Sequence, residues 1–394
     1  CEYFCFRDRP IRPLWHLSKG DPHHSADERA AKIDVSSTNK HRVMYVVPLT
    51  LIPMRRTLLF SLLFPAALPA QPFAVGERSV DFIDTGRNRT IPCEIYHPAD
   101  VAGTNVPLAL GVFPVLVMGH GFVMTTQAYT NFAEDLVPRG YILLLPTTEG
   151  GFAPDHAEFG LDLAFIAQAM QLANNDGASP FFQQVAPATA LMGHSMGGGA
   201  SFLGADGNAG IQTLVNFAAA ETNPSAIAAA ANVQVPTLLF AASEDCVTPI
   251  AGHQQPMYDA LNVPCRALIT VTGGGHCYFA ESNFNCTFGE FTCNPDLTIS
   301  REDQQDVVAD LAGLWLDHFL KGDAIAFGAF QDSLSTSMRI TAQSSCLSTS
   351  VPEAIGSRPS VFPTPADGQI KVEGIDVARV KGVVDAVGRS YPFR

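Results

Sequence analysis

Six short apolar runs constrain this chain more than any other feature: FPVLVMG (113–119), YILLLPT (141–147), TALMG (189–193), IQTLVNFA (211–218), PTLLFAA (236–242) and RALITV (266–271). Runs of this length with no polar alternation suit strands buried on both faces. Between them lie segments with helical spacing, at 129–140 and 157–174, and a long amphipathic stretch closes the series at 301–322. Strands alternating with helices predict an α/β chain with a mainly parallel central sheet and helices on both faces. Upstream, the alternation from 80 to 96 reads as two antiparallel strands around the TGRNR turn. A hydrophobic content of 47% against 16% charged residues is enough to fill a large core. Ligands of such sheets gather at the carboxyl ends of the strands, so chemistry is expected in the loops after each run.

One of those loops is unusual. TALMG leads directly into GHSMGGG (193–199), so Ser195 falls in the turn between a strand ending at Met192 and a helix starting near Met196. Gly193 and Gly197 leave room for a turn too tight for side chains on either flank. That is the mechanical content of a G-x-S-x-G elbow, which holds a hydroxyl above the sheet with a helix N-terminus behind it. The alternative is a glycine-rich turn that merely contains serine, and the rest of the chain decides between them.

A serine hydroxyl is a poor nucleophile at neutral pH. It needs a base to take its proton and a carboxylate to orient that base. On sheets of this kind the chain order is serine, acid, histidine, each following a strand. PTLLFAASEDCVTP puts Asp245 after the fifth run, with Glu244 as the weaker neighbouring candidate. RALITVTGGGHCYFA puts His276 after the sixth, and its three glycines let the loop fold inward over the serine. His156, His253 and His318 have no such position and read as surface or core residues. An oxyanion hole would take the amide of Met196 and the amide of Phe122 in VMGHGF, where His120 reads as structural. The segment before Asp245 is too short for a large helical lid, so the cleft is expected to stay open to bulky or polymeric acyl chains.

The ends of the chain differ from its middle. Residues 1–53 mix proline, histidine and charge with no hydrophobic period, whereas MRRTLLFSLLFPAALPA (54–70) has the basic start, short apolar run and small-residue end of a secretory signal peptide. Translation is therefore expected from Met54, with 1–53 as upstream sequence. Export implies an oxidising compartment. Beyond residue 53 there are seven cysteines, at 93, 246, 265, 277, 286, 293 and 346, and an odd number leaves at least one unpaired within the chain. The net charge of -14 disfavours nucleic acid and anionic membrane surfaces as partners. No His, Cys and Asp cluster has metal-ligand spacing, so no metal or organic cofactor is expected. The organisation predicted is a catalytic domain at 71–333, a Ser/Thr-rich linker at 334–360 and a small β-rich appendage at 361–394, in a monomer with no stable membrane insertion after processing.

Residues from about 76 to 330 resemble the α/β-hydrolase superfamily. The segments GRNRTIPCEIYHPA, HGF, GHSMGGG, SEDCVTP and GGGHCYF are similar to the dienelactone hydrolase, platelet-activating-factor acetylhydrolase and chlorophyllase-like group, and to bacterial cutinases and poly(ethylene terephthalate) hydrolases. The resemblance implies the α/β-hydrolase fold without a large lid. It implies catalysis by Ser195, Asp245 and His276, an oxyanion hole at Phe122 and Met196, and a cleft lined by Phe122, Tyr129 and Met196. It also implies a disulfide between Cys246 and Cys277, which would tie the acid and histidine loops together, and a local bridge between Cys286 and Cys293. One departure stands out: polyesterases of this kind carry a tryptophan in the loop after the strand that follows the nucleophile helix. Here that loop reads NFAAAETNPSA, and the chain's tryptophans are Trp15 and Trp315. At the far end, VFPTPADGQIKVEG with a later Val-Gly-Arg resembles part of the C-terminal sorting domain of the type IX secretion system of Bacteroidetes.

The reading that follows is a secreted serine carboxylic-ester hydrolase acting on ester or polyester substrates. A small-ester or phospholipid acetyl-ester hydrolase is the alternative within the class. A catalytically silent surface-binding protein on the same fold is the alternative outside it.

Overall fold

The computed structural model describes residues 72–346 and, beyond them, four short strands between residues 360 and 391. The leader (1–53), the signal-like segment (54–70) and most of the expected linker and appendage lie outside the described residues. The chain divides into two units, one of them Leu62–Ser348. In the other, the described residues form two antiparallel pairs, Ser360–Phe362 with Lys371–Glu373 and Val383–Val384 with Ser390–Tyr391.

The larger unit runs β1 (Ala74–Asp84), β2 (Arg89–Ala99), β3 (Gly103–Thr104), β4 (Phe113–Gly119), α1 (Thr130–Leu136), β5 (Ile142–Pro146), α2 (His156–Ala173), β6 (Val185–His194) and α3 (Met196–Ala205). It continues with β7 (Thr213–Phe217), α4 (Ala226–Ala230), β8 (Thr237–Ala242), α5 (Gln254–Ala260), β9 (Arg266–Val271), α6 (Phe284–Phe291), α7 (Arg301–Lys321), α8 (Ala324–Thr336) and β10 (Ile340–Ser344). The strands form one sheet in the order β10-β9-β8-β7-β6-β4-β5-β2-β1-β3. From β5 to β9 every neighbouring pair is parallel, and the antiparallel strands sit towards the edges. This is the α/β-hydrolase fold with helices on both faces.

The apolar runs become central strands because both of their faces are covered. Along β4, Leu116 and Met118 pack with Trp315 and Phe330 of α7 and α8. Val115 and Val117 point the other way, towards Phe159 and Leu163 of α2 and Phe202 of α3. Trp315 is fully buried, and its indole nitrogen donates to Thr213 Oγ1 at 2.8 Å, so no polar atom of the ring is stranded in the core. Helix α7 begins with a capping box between Ser300 and Asp303 and ends at Gly322 in the left-handed region (φ 74°).

The TGRNR turn braces the sheet against α2. Arg89 pairs with both oxygens of the fully buried Asp162 and with Glu149, and Arg87 reaches Asp84, Glu158 and Asp162. Thr148 Oγ1 donates to the same Asp162 carboxylate, which pins the loop between β5 and α2.

One expected boundary moves. Residues 334–346 were expected to begin a linker, but α8 extends to Thr336 and β10 pairs antiparallel with β9. The Cys265–Cys346 disulfide then fastens the end of this strand to the start of β9. The Ser/Thr composition of this stretch fits an exposed edge strand, whose outward positions need not be apolar.

Candidate active site

Ser195 stands between the last residue of β6 and the first of α3, with φ 54° and ψ -120°. A non-glycine residue in this region carries strain of about 1–3 kcal/mol and persists only where its surroundings enforce it. Here the enforcement is close backbone packing. A Cβ on Gly193 would land on the Gly197 backbone, and a Cβ on Gly197 would land on the Gly119 carbonyl of β4. The Ser195 amide donates to Phe217 O, and its carbonyl accepts from the amides of Gly198, Gly199 and Ala220, so the elbow is bonded on both sides. Met196 opens α3, where the first amides have no partner within the helix.

The candidate acid and base come from the loops after β8 and β9. Asp245 lies in the turn after β8, and its Oδ2 is 2.8 Å from His276 Nδ1 in the loop after β9. Both residues are buried. Oδ1 accepts the amides of Val247 and Thr248, and Oδ2 also accepts from Thr248 Oγ1. Burial works to raise the Asp245 pKa, but His276 beside it and the donors of His276 and Thr248 hold the carboxyl below its usual range. A carboxylate accepting from Nδ1 sets the His276 tautomer, leaving Nε2 as the basic nitrogen. Gln254 supports the group from behind, donating to Ala219 O and Thr248 Oγ1. Thr248 and Gln254 escape sequence reasoning, although Thr248 lies three residues after Asp245 in SEDCVTP.

A second polar chain joins three loops. The Gly121 amide donates to Tyr129 Oη at 2.7 Å, and Tyr129 Oη lies 3.0 Å from His194 Nδ1. On the other side of the ring, His194 Nε2 is 3.1 Å from His276 O. With the phenol proton given to Nδ1, the His194 hydrogen sits on Nε2 and is donated to the histidine loop. Burial, reinforced by the neighbouring His276, pushes the His194 pKa from its ordinary 6.5 down to about 3, so the ring is neutral. This corrects the expectation for Tyr129, which does not line the cleft. It is fully buried, and its hydroxyl ties the Phe122 loop to the elbow.

The cysteines pair differently from the expected pattern. Cys246 bonds Cys293 and Cys277 bonds Cys286, in place of Cys246 with Cys277 and Cys286 with Cys293. Cys286 lies inside α6 and Cys293 two residues past its end, so the helix stands between them. Each bonds a different loop, Cys286 the one after β9 and Cys293 the one after β8. The buried Glu290 between them accepts the Cys277 amide, and Arg301 donates to the carbonyls of Cys277 and Ala280. Cys93 is the free cysteine among the described residues, buried in β2, and burial pushes its thiol well up.

Phe122, half-exposed, meets Phe152 edge-on with ring centroids 6.5 Å apart. Phe152, in the loop after β5, was not singled out from the sequence. A cavity of about 470 Å³ opens beside this pair, among Glu94, Met124, Thr126, Gln127 and Gly151. A second, of about 370 Å³, lies at the opposite ends of the strands near Phe113, Arg139 and Lys321, away from Ser195. Among the described residues no cluster of three or more His, Cys, Asp or Glu is placed to hold a metal ion, and no helix is long and apolar enough to cross a membrane.

Fold and site together define a member of the α/β-hydrolases. Residues 69–294 match the family described as PET hydrolase-like, and the chain belongs to that family. Among curated proteins it is similar to "Cutinase est2" of Thermobifida alba, 24% identical over 189 residues that make up 47% of this chain and 59% of the relative. It is likewise similar to "Cutinase 2" of Thermobifida cellulosilytica, 24% identical over 47% of this chain and 68% of that protein. A "Cutinase" of Thermobifida fusca matches at 24% over 47% of this chain and 56% of its own length. The chain thus spans little more than half the length of most of these relatives.

Proposed function

We propose that this protein is a secreted serine carboxylic-ester hydrolase with cutinase-like action on polyesters. The observation that carries the reading is the buried Asp245–His276 pair, held at 2.8 Å in a loop bonded to the residue preceding the strained Ser195. Ser195 Oγ attacks the ester carbonyl carbon while His276 Nε2 takes its proton. The amides of Met196 and Phe122 receive the oxyanion, and His276 returns the proton to the leaving alcohol. Water, deprotonated by the same nitrogen, then releases the acid from the acyl-enzyme. Asp245 keeps the imidazole oriented and stabilises its charged form. Membership of the PET hydrolase-like family and similarity to cutinases support an ester substrate. Three disulfides support export, with 54–70 as signal peptide and the tail as a partial sorting domain, around a monomeric catalytic domain that starts near residue 71.

One observation favours the small-ester alternative: the segment after β7, Ala218–Ser225 in sequence AAAETNPS, offers no aromatic ring to stack on a polymer. Release of products from amorphous poly(ethylene terephthalate) and polycaprolactone films, run beside p-nitrophenyl butyrate, separates the two. Cleavage of films and small ester by the wild type, with Ser195→Ala inactive on both, is the expected result. Cleavage of the small ester alone selects the alternative. No cleavage of either, and no phosphorylation of Ser195 by diethyl p-nitrophenyl phosphate in a peptide mass map, selects the silent binding protein.

A further inference from the structure

Helix α6 is amphipathic in the wrong sense for a helix on a water-soluble body. Its inward face carries Cys286 and the buried Glu290, while Phe284, Phe288 and Phe291 face solvent at 82%, 62% and 76% exposure. The spacing of i, i+4 and i+7 puts the three rings in one stripe, and Phe284 and Phe288 stack with centroids 6.2 Å apart. Contiguous exposed aromatics of this kind mark an interaction surface rather than leftover core.

The stripe is fixed to the triad loops. Cys286 bonds the residue after His276, Cys293 bonds the residue after Asp245, and Asn285 Nδ2 donates to Val123 O, beside Phe122, at 2.7 Å. Phe122, the residue before Val123, meets the exposed Phe152. The stripe's chemistry is also selective. Residues 282–295 carry a single charge, the buried Glu290, and no lysine or arginine, while the chain as a whole is at -14. Such a surface has nothing to offer an anionic lipid headgroup or a nucleic acid, and suits an uncharged apolar solid.

We propose that Phe284, Phe288 and Phe291 form an adsorption surface for the uncharged polyester itself, laying the polymer beside Ser195 and replacing the aromatic that the loop after β7 lacks. The inference rests on the esterase reading of Ser195 and concerns how a polymeric substrate is held, not how its bond is cut. A soluble ester has no need of the stripe.

The test uses the full chain and the triple variant Phe284→Ser, Phe288→Ser, Phe291→Ser, with Phe288→Ser alone as a milder control for folding. Adsorption to amorphous poly(ethylene terephthalate) film is measured in a Ser195→Ala background, so that binding is read without turnover. We expect the triple change to weaken adsorption and film product release at least 10-fold, the single change to weaken both about threefold, and kcat/KM on p-nitrophenyl butyrate to stay within twofold. Adsorption unchanged in the triple variant overturns the proposal, as does an equal loss on the soluble ester. Two further results overturn it in favour of another occupant: a dimer by light scattering that dissociates in the triple variant, or stripe-dependent binding to phosphatidylcholine vesicles with none to film. Stripe-dependent adsorption by a chain that hydrolyses no ester would support the surface and overturn the esterase reading instead.

Discussion

The two halves of the site are held by opposite means. The serine side is local: a strand, a turn and a helix within residues 185–205, closed by contact of the Gly193, Gly197 and Gly119 backbones and crossed by no disulfide. On the acid and histidine side, two loops after β8 and β9 meet across 31 residues of sequence and are fastened by Cys246–Cys293, Cys277–Cys286, Glu290 and Arg301. A tight turn between regular elements has few conformations open to it, so steric fit and a few backbone hydrogen bonds hold it without a cross-link. Loops of greater length keep their entropy unless they are cross-linked.

The contrast is broken most severely by removing the groups proposed to react. Ser195→Ala or His276→Ala should lower kcat on p-nitrophenyl butyrate by about 10⁵- to 10⁶-fold, and Asp245→Asn by about 10⁴-fold. Equal losses at all three positions would mean that Asp245 does more than orient His276. Next in size are the ties on the acid and histidine side. The loop-entropy relation gives about 4 kcal/mol for Cys246–Cys293, at a sequence separation of 47, and about 2.6 kcal/mol for Cys277–Cys286, at a separation of 9. Urea unfolding of each paired Cys→Ala variant checks both the size and the order of these losses.

On the serine side the comparable insult is a single methyl group. Gly197→Ala should destabilise by about 3 kcal/mol, because the added carbon meets backbone that cannot rotate away. If the variant unfolds at the wild-type urea concentration, steric fit is not what holds the elbow. The smallest effect sharpens the link between the two sides. His194 has its pKa depressed, so its contribution to stability is complete above the unfolded value of 6.5 and is lost as pH falls towards 3. Between pH 7 and pH 4.5 wild-type stability should therefore drop by about 2–3 kcal/mol more than that of His194→Asn, measured by urea unfolding at the two pH values.

Much of this was legible in the chain. The central strands were visible because each is covered on both faces and so has no reason to alternate. Ser195, Asp245 and His276 stand where the order of strands put them, and their roles remain the proposal tested above. What stayed hidden depended on partners distant in sequence. Tyr129 looked like a cleft residue because its position after HGF says nothing of His194, 65 residues away. Phe152 and Phe284 carry no local signal, since a phenylalanine in a loop or short helix is as readily core as surface. The edge strand β10 is polar outward, and only its pairing with β9 distinguishes it from a linker.

The sequence by itself determined the sheet, the elbow and that at least one of the seven cysteines beyond residue 53 has no partner among the others. Those follow from periodicity, from the space glycine leaves and from parity, each of which acts between near neighbours or needs no geometry at all. Only the tertiary structure decided which cysteine meets which, that His194 stays neutral, and that three phenylalanines face water beside the triad. Those outcomes turn on how one short helix is set against the loops after β8 and β9 and on how deeply the His194 ring is buried beside His276, and no local pattern specifies either.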